Sequence, residues 1–259
     1  KSAAETLTPV VLELGGKSPC IVDATANLEL AARRIVWGKL LNAGQTCVAP
    51  DYVLADNRIK EKLLPLLADA VRELFGDTPA KHPDYPHIVH LRAYERLEQL
   101  IPSESVFWQG DHNKDTLHLA PVILRDVPMD AQVMQEEIFG PILPVIGYNS
   151  LEEAIQMIAR HPNPLALYLF TEDKGVKHRI LRECSFGGGC INDTIVHLAT
   201  DLPFGGIRSS GIGAYHGKAS FDTFSHYKTV LQKSTRMDLP FRYPPYTDQN
   251  FRMARKVLR

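Results

Sequence analysis

The sequence predicts an α/β fold in which a layered, largely parallel sheet is flanked by helices. Two observations support this prediction. Short apolar runs rich in β-branched residues alternate with helical patterns of roughly 10–18 residues, the succession that builds parallel sheets. The 259 residues, of which 44% are hydrophobic and 23% charged, have the composition of an ordinary globular chain and suffice for a sizeable core.

The N-terminal strands and helices are predicted from the spacing of apolar residues and from the residues that typically begin and end such elements. Residues 10–14 form a short β-branched run closed by two glycines, which predicts a buried strand and a tight turn. From Leu28 the apolar positions recur with a helical period, and Asn27 and Gly44 are the predicted N-cap and C′ residues. The next predicted elements are a strand at 51–55, a helix at 58–75 ended by Gly76, a helix at 91–101, and extended segments at 105–108 and 117–124.

The C-terminal elements continue the alternation. Residues 142–147 and 165–170 are strongly apolar and predict two more strands. Between them, Ser150 and Glu153 have the spacing of a capping box, which predicts a helix from 151 to 161. The remaining predictions are a helix at 172–184, a glycine-rich stretch with strand-like pieces, and a basic tail at 236–259 that packs on a surface or frays.

Charge and cysteine content exclude several classes of function. Lys and Arg total 29 against 30 Asp and Glu, and a net charge of −1 gives no electrostatic footprint for nucleic acid or an anionic membrane. The apolar runs fall far below the roughly 20 residues of a membrane-spanning helix. Four cysteines are too few for a disulfide scaffold, and neither they nor the histidines have metal-ligand spacing. We therefore expect a cytoplasmic protein with no metal, no nucleic-acid partner and no transmembrane segment.

Cys47 is the most distinctive of the four cysteines. It lies in a turn of small residues, Ala43-Gly44-Gln45-Thr46-Cys47, where a substrate and backbone amides can approach the thiol closely. Cys20, Cys184 and Cys190 fall in apolar or regular segments, as buried inert cysteines do. From this placement, Cys47 is either a nucleophile or one more buried thiol.

Two carboxylates stand out for their surroundings. Glu13 interrupts the apolar strand predicted at 10–14, so it either faces outward or serves as a general base. Glu137 lies in Glu136-Glu137-Ile138-Phe139-Gly140-Pro141, and it is either a solvated turn residue or part of a site. The long glycine-rich loop at 202–213 is of the kind that often lines sites.

Taken in order, these segments resemble the motifs of aldehyde dehydrogenases. The four motifs are Leu12-Glu13-Leu14-Gly15-Gly16-Lys17-Ser18-Pro19, Gly44-Gln45-Thr46-Cys47, Glu136-Glu137-Ile138-Phe139-Gly140-Pro141 and Pro203-Phe204-Gly205-Gly206. Further segments at 164–168, 190–194, 215–226 and 242–246 resemble the class 3 and fatty aldehyde dehydrogenase branch. Four separate motifs in family order are highly specific, and the resemblance covers nearly the whole chain.

The resemblance implies a chemical role for Cys47 and Glu13. Cys47 would attack an aldehyde to give a thiohemiacetal, and hydride transfer to the nicotinamide of NAD or NADP would leave a thioester. Glu13 would then activate the water that hydrolyses the thioester to a carboxylate. A thiol suits this role, because the few per cent of thiolate expected at neutral pH is already strongly nucleophilic.

The resemblance also implies which residues bind the coenzyme and the substrate. Glu137 would hold the nicotinamide ribose and Phe139 would pack beside it, with Leu14 as a further coenzyme contact. Phe204 would line the aldehyde tunnel. A homodimer is the expected assembly, since members of this branch are usually dimers.

The chain resembles the C-terminal part of these enzymes. The implied organisation is the end of an absent coenzyme-binding half at 1–14, a catalytic thiol domain at 15–212, a return segment with an oligomerisation strand at 213–235, and the tail at 236–259. We expect little dehydrogenase activity from this part by itself, since positioning the hydride donor contributes about 7–11 kcal/mol in well-oriented reactions.

Two other classes of function stay open. A thiol esterase or acyltransferase needs only Cys47, an activating group and an oxyanion hole, with no redox step. A non-catalytic assembly domain would use the region 221–231 as a dimerising strand. Hydrolysis of an activated ester without coenzyme reduction favours the former, and failure of electrophiles to label Cys47 selectively favours the latter.

Overall fold

A seven-stranded sheet organises the first of two units into which the chain divides, Lys1–Phe224. The computed structural model describes residues 1–257. Its strands are β1 (Leu12–Glu13), β2 (Pro19–Val22), β3 (Tyr52–Asp56), β4 (Val106–Gln109), β5 (His112–Asn113), β6 (His118–Leu119), β7 (Val122–Arg125), β8 (Ile142–Tyr148), β9 (Ala166–Phe170), β10 (Gly188–Ile191) and β11 (Gly211–Ile212). The order in the sheet is β10-β9-β2-β3-β8-β7-β4, parallel throughout except for β4, which runs antiparallel to β7. The predicted α/β fold with a largely parallel sheet is therefore confirmed.

The helices begin and end close to the predicted signals. They are α1 (Ser2–Glu5), α2 (Leu28–Leu40), α3 (Lys60–Phe75), α4 (Leu91–Gln99), α5 (Gln132–Gln135), α6 (Leu151–Ala159), α7 (Lys174–Glu183), α8 (Gly217–Thr223) and α9 (Asp248–Val257). Asn27 caps α2 by accepting a hydrogen bond from the backbone N–H of Leu30, and Gly76 ends α3 with a φ of 73°. Ser150 caps α6 in the same way, accepting from the backbone N–H of Glu153 over 3.2 Å.

Helices cover both faces of the sheet. Successive side chains along each strand point to opposite faces, so both sets of side chains are buried. In β2, Cys20 and Val22 join a core with the apolar residues of α2 and α3. Ile21, between them, joins a second core formed with α4, α6 and α7. This double burial explains why the central strands have apolar residues at consecutive positions.

The strand predicted at 10–14 is neither buried nor part of the main sheet. It is reduced to the two residues of β1, which pairs antiparallel with β11 in a separate two-stranded sheet. Leu12 and Leu14 remain 40% and 47% exposed. The prediction of a buried strand is wrong because the apolar run pairs with a surface loop and not with β2.

The segment at 213–235 contains the helix α8, and residues 225–234 form neither helix nor strand. The dimerising strand expected there is not formed in this chain, and its pairing in an assembly stays a prediction. The second unit begins at Ser225 and contains α9. Residues 258 and 259 of the predicted tail lie outside the described residues. Within 1–257, no helix has the length and apolar character needed to cross a membrane.

Candidate active site

Cys47 follows a turn whose backbone few residue types adopt without strain. Helix α2 passes into a 3-10 turn at Leu41–Gly44. The last three residues of that turn have left-handed backbone, with φ of 53° at Asn42, 51° at Ala43 and 73° at Gly44. Glycine is required at position 44, because a Cβ atom there would lie 2.3 Å from the carbonyl oxygen of Gly140. The turn therefore places the Cys47 segment directly against the loop that carries Glu137.

Gln45 joins this turn to a second loop. Its amide nitrogen donates to the carbonyls of Asn42 and His87, over 3.1 and 3.2 Å, and its amide oxygen accepts from the N–H of Val89 over 2.9 Å. Asn42 returns a hydrogen bond of 3.1 Å to the carbonyl of Gln45. These contacts fix the backbone two residues before Cys47.

The Cys47 thiol is half-buried and lies beside the Glu13 carboxylate. Burial, the interaction with Glu13 and the negative charge of Glu137 raise the pKa of Cys47 to about 12. The thiol of the free chain is therefore protonated near neutral pH, and the expectation of a few per cent thiolate is wrong here. The arrangement instead provides a carboxylate that can take the thiol proton as the sulfur reacts.

Glu13 reaches the thiol from the surface strand β1, where it lies opposite Gly211 of β11. The phenolic hydroxyl of Tyr215 donates a hydrogen bond of 3.1 Å to Oε2 of Glu13. Burial and the neighbouring Glu13 carboxylate raise the pKa of Tyr215, so its hydroxyl remains a donor. Sequence reasoning did not assign Tyr215 to the site, although it lies in one of the segments that resemble the class 3 branch.

Phe204 lies next to Tyr215 in a bridge of two backbone hydrogen bonds, 2.8 and 2.9 Å long. Its ring is 3% exposed and lies against the rings of Tyr215 and His216, with centroids 5.9 and 5.2 Å away. Cys47 packs against the same apolar cluster. The structure thus places Phe204 near the thiol side of the site, and its contact with a substrate stays a prediction.

The loop that carries Glu137 is held by a buried ion pair. Lys17 pairs with Asp51 and also donates to the carbonyl of Glu136 over 2.8 Å. Asp51 accepts a hydrogen bond of 3.0 Å from the backbone N–H of Ile138. The residues on both sides of Glu137 are therefore bound to the same buried pair, and this restricts where the Glu137 side chain can lie.

The Glu137 carboxylate packs against a glycine turn. A Cβ atom on Gly15 would lie 2.0 Å from Oε2 of Glu137, so the absence of a side chain permits this approach. Burial raises the pKa of this carboxyl to about 7, while the backbone N–H of Gly16 acts to lower it. A carboxylate held in place beside a glycine turn is suited to accept hydrogen bonds from ligand hydroxyls. Glu137 with Gly15 and Gly16 therefore fits the sugar of a nicotinamide coenzyme.

The other two predicted coenzyme residues are at the surface. Phe139 has left-handed backbone, with φ of 51°, and its side chain is 42% exposed. Leu14 is fixed through its backbone N–H, which donates to the carbonyl of Ser210 over 2.9 Å, and its side chain is also exposed. Both side chains are accessible to a ligand, and their roles stay predictions.

Sequence reasoning also missed two buried lysines, Lys17 and Lys39. Lys39 had a detectable signal, since it lies four residues after Ile35 and therefore on the apolar stripe of α2. Lys17 lies in the motif at 12–19, in which only the glycines and Glu13 were singled out as features of a site. Neither pattern indicates which carboxylates the lysines face.

No metal centre is apparent in the described part of the chain. Among residues 1–257, no group of three or more His, Cys, Asp or Glu side chains is placed to hold a metal ion. All four cysteines are free thiols.

The fold and the site define a protein with a cysteine and a neighbouring carboxylate in the segments that precede two central strands of a parallel α/β sheet. Residues 1–230 match the family model described as the aldehyde dehydrogenase family, and the chain belongs to that family. Its relatives include class 3 aldehyde dehydrogenases, as the motifs indicated.

Several curated relatives and solved structures are similar over most of the chain. The 4,4'-diaponeurosporen-aldehyde dehydrogenase of Staphylococcus aureus is 50% identical over 95% of this chain and 54% of its own length. The dimeric NADP-preferring aldehyde dehydrogenase of Canis lupus familiaris is 48% identical over 94% of this chain and 54% of its own length. The solved structure of the substrate-bound state of Staphylococcus aureus AldH superposes with a TM-score of 0.94 at 48% identity, covering 100% of this chain and 57% of that one. The chain thus spans about half the length of the curated relatives it matches.

Proposed function

We propose that this chain carries the thiol-bearing catalytic part of an NAD(P)-dependent aldehyde dehydrogenase that converts an aldehyde to a carboxylate. The observation that carries the proposal is the proximity of the Cys47 thiol and the Glu13 carboxylate, which raises the pKa of Cys47. It joins a nucleophile and a base that are far apart in sequence, in a chain of the aldehyde dehydrogenase family.

Cys47 forms the covalent bond to the substrate. Its sulfur bonds to the carbonyl carbon of the aldehyde, the carbon–oxygen double bond becomes single, and the thiol proton passes to Glu13. A nicotinamide coenzyme, when bound, supplies the hydride acceptor that takes the aldehyde to the oxidation level of the acid. The acid is then held on Cys47 as a thioester.

Glu13 first releases to solvent the proton that it took from the thiol, and as a carboxylate it then returns the enzyme to its starting state. It takes a proton from water as the water oxygen bonds to the thioester carbon. The carbon–sulfur bond then breaks, the proton on Glu13 passes to the Cys47 sulfur, and the carboxylic acid leaves. The hydrogen bond from Tyr215 orients the Glu13 carboxylate for this proton transfer.

Glu137, Phe139 and Leu14 are proposed to hold the coenzyme. The Glu137 carboxylate accepts hydrogen bonds from the ribose hydroxyls, and the exposed ring of Phe139 packs beside the nicotinamide. Phe204 contributes to the aldehyde side of the site. The proposed assembly is a homodimer, which the word "dimeric" in the name of the canine relative supports. A cytoplasmic location also stays a prediction.

The test is aldehyde-dependent reduction of NAD or NADP by the full-length protein and by two variants. Cys47→Ala should abolish turnover, while Glu13→Gln, which lacks the base for both proton transfers, should lower turnover strongly. Cys184→Ala, at a half-buried thiol outside the site, is the matched control and should keep activity. Turnover retained by Cys47→Ala would overturn the proposal.

The isolated 259-residue chain separates this proposal from the thiol esterase. We expect it to reduce little or no coenzyme with aldehyde. Cys47-dependent hydrolysis of an activated ester, together with a full-length protein that never reduces coenzyme, would favour an esterase instead. Tight NAD binding by the isolated chain, measured by calorimetry, would contradict the proposed need for a separate coenzyme-binding half.

A further inference from the structure

Lys17 and Asp51 form an ion pair that is almost completely buried, with side chains 5% and 4% exposed. A buried ion pair contributes little more to stability than well-packed apolar side chains of similar volume, because both charges lose their hydration. What such a pair adds is a set of strong hydrogen bonds to particular partners. The partners of Lys17 and Asp51 therefore indicate what the pair does.

Both side chains hydrogen bond to the backbone of the segment that carries Glu137. Nζ of Lys17 donates to the carbonyl of Glu136 over 2.8 Å, and Oδ1 of Asp51 accepts from the N–H of Ile138 over 3.0 Å. Nζ also donates to a carbonyl in α5, which leads into this segment, over 2.9 Å. The pair thus holds the residue before Glu137 and the residue after it.

The same pair joins the two segments that carry the base and the thiol. Lys17 lies four residues after Glu13, and Asp51 lies four residues after Cys47. The parallel strands β2 and β3 begin within two residues of the pair. Four residues of chain span at most about 14 Å. The pair therefore lies where the segments with Glu13, Cys47 and Glu137 meet.

Arg96 is a second anchor for the Glu137 segment and belongs to a different element, α4. Its side chain is 34% exposed and donates to the carbonyls of Glu137 and Ile138. It also forms an ion pair of 3.0 Å with Glu136. Because this anchor does not involve the buried pair, we expect that neutralising the pair displaces Glu137 without unfolding the segment.

We propose that Lys17 and Asp51 are positioning residues that hold the Glu137 carboxylate in register with the Cys47 thiol. This inference rests on the proposed function, because it assigns the coenzyme to Glu137 and the aldehyde to Cys47. Both side chains of the pair are buried, so they act through Glu137 and not by touching the coenzyme. A misplacement of about 1 Å between reacting groups can cost on the order of a hundredfold in rate. A dehydrogenase needs this fixed distance, whereas a thiol esterase does not.

The test variants must avoid an unpaired buried charge, which is itself strongly destabilising. Lys17→Met with Asp51→Asn is neutral and keeps an oxygen for the N–H of Ile138, so it loses the contacts of the ammonium. Lys17→Met with Asp51→Leu loses the Ile138 contact as well, and its apolar side chains should preserve the stability of the fold. The matched control is Arg58→Met with Asp56→Asn, which removes an ion pair of 2.6 Å at the other end of β3.

The first test asks whether the pair holds the Glu137 segment when no coenzyme is present. In the full-length protein, Lys17→Met with Asp51→Asn should speed hydrogen exchange about tenfold in peptides covering 133–139, because hydrogen bonds to a charged group are lost there. Mass spectrometry measures the exchange. Peptides covering α2 should be unchanged, as should both regions in the control variant. Wild-type exchange at 133–139 in both neutral-pair variants would overturn the inference.

The second test asks whether the pair acts through Glu137. In the full-length protein, Lys17→Met with Asp51→Asn should weaken the Kd for NAD or NADP about tenfold, and should be silent in a Glu137→Gln background. Alkylation of Cys47 by iodoacetamide should keep its wild-type rate, because Glu13 stays in place.

Three results of the second test would overturn the inference. They are a wild-type Kd in a folded variant, an equal loss of affinity in both backgrounds, and an alkylation rate that changes as much as the Kd. The last two would mean that the pair acts on the whole site or on the fold. Thermal unfolding identifies a misfolded variant, and Lys17→Met with Asp51→Leu then takes the place of the Asn variant.

The two tests also separate this inference from the proposed function. Faster exchange at 133–139 in a full-length protein that binds no nicotinamide coenzyme would overturn the proposed function, while the hold of the pair on the Glu137 segment would stand. Coenzyme binding by the wild type, with the same Kd in both neutral-pair variants, would overturn the inference and leave the proposed function in place.

Discussion

The hydroxyl of Tyr215 donates a 3.1 Å hydrogen bond to Oε2 of Glu13, the carboxylate that lies beside the Cys47 thiol. The three side chains come from the surface strand β1, the turn after α2 and the segment before α8. This hydrogen bond links the proposed base Glu13 to Tyr215, a residue to which the resemblance to the class 3 branch assigned no chemical role.

Tyr215→Phe should lower turnover of the full-length protein about tenfold. The variant removes a hydrogen bond to a charged group, worth about 1.5 kcal/mol at the low end appropriate to an exposed carboxylate. Steady-state coenzyme reduction measures the effect. Tyr243→Phe is the matched control, because Tyr243 makes the same contact with Asp238 in the second unit. A Tyr215→Phe enzyme with wild-type turnover would show that Glu13 needs no such donor.

Alkylation of Cys47 should be slow at neutral pH and should accelerate as the pH rises toward the pKa of Cys47, about 12. Glu13→Gln should increase the rate with iodoacetamide at pH values near 8, because it removes a negative charge that raises this pKa. Peptide mass spectrometry distinguishes Cys47 from the other thiols. Glu5→Gln, at an exposed position in α1, makes the same charge change and should leave the rate unchanged. Fast alkylation of wild-type Cys47 at pH 7 would contradict the raised pKa.

Glu137 should make the fold less stable as the pH rises. Its folded-state pKa of about 7 lies above the ordinary 4.5, so the folded chain binds the proton more tightly than the unfolded chain. The free energy of unfolding therefore falls between these two values and levels off above pH 7. Glu137→Gln should remove this loss and gain about 1–2 kcal/mol at pH 8, a range reduced for partial solvent screening.

Urea unfolding at pH 5 and pH 8 measures this difference. Glu104→Gln, at an exposed position, controls for the general effect of removing a carboxylate. If the wild type and Glu137→Gln differ in stability by the same amount at both pH values, then Glu137 titrates normally and the raised pKa is wrong.

Gly44→Ala should destabilise the fold and impair Cys47, whereas Gly76→Ala should destabilise the fold and leave Cys47 unaffected. Gly76 has a φ of 73° and a ψ of −169°, a region essentially restricted to glycine, so Gly76→Ala carries a backbone cost of about 1–3 kcal/mol. An added Cβ meets nothing within 4 Å at Gly76 but lies 2.3 Å from the Gly140 carbonyl at Gly44. The backbone around Cys47 must therefore move only in Gly44→Ala, for which we expect a total loss of about 3 kcal/mol in urea unfolding. Unchanged turnover of the full-length Gly44→Ala variant would show that this contact is easily relieved.

Most of the secondary structure could be predicted because its signals are local. Asn27, Gly76 and Ser150 act on helix ends a few residues away, and each does so in the structure. The prediction failed at residues 10–14, since an apolar run does not reveal whether its partner is the main sheet or a surface strand.

The sequence by itself determined that a thiol follows a glycine turn, that a carboxylate stands in an apolar run, and that four motifs occur in family order. These are properties of residue type and spacing, which need no coordinates. Only the tertiary structure decided that Glu13 reaches Cys47, that Tyr215 supports Glu13, and that Lys39 is buried without a hydrogen-bond partner. The reason is physical: ionisation depends on desolvation and on distances to other charges, and both arise when segments far apart in sequence pack together.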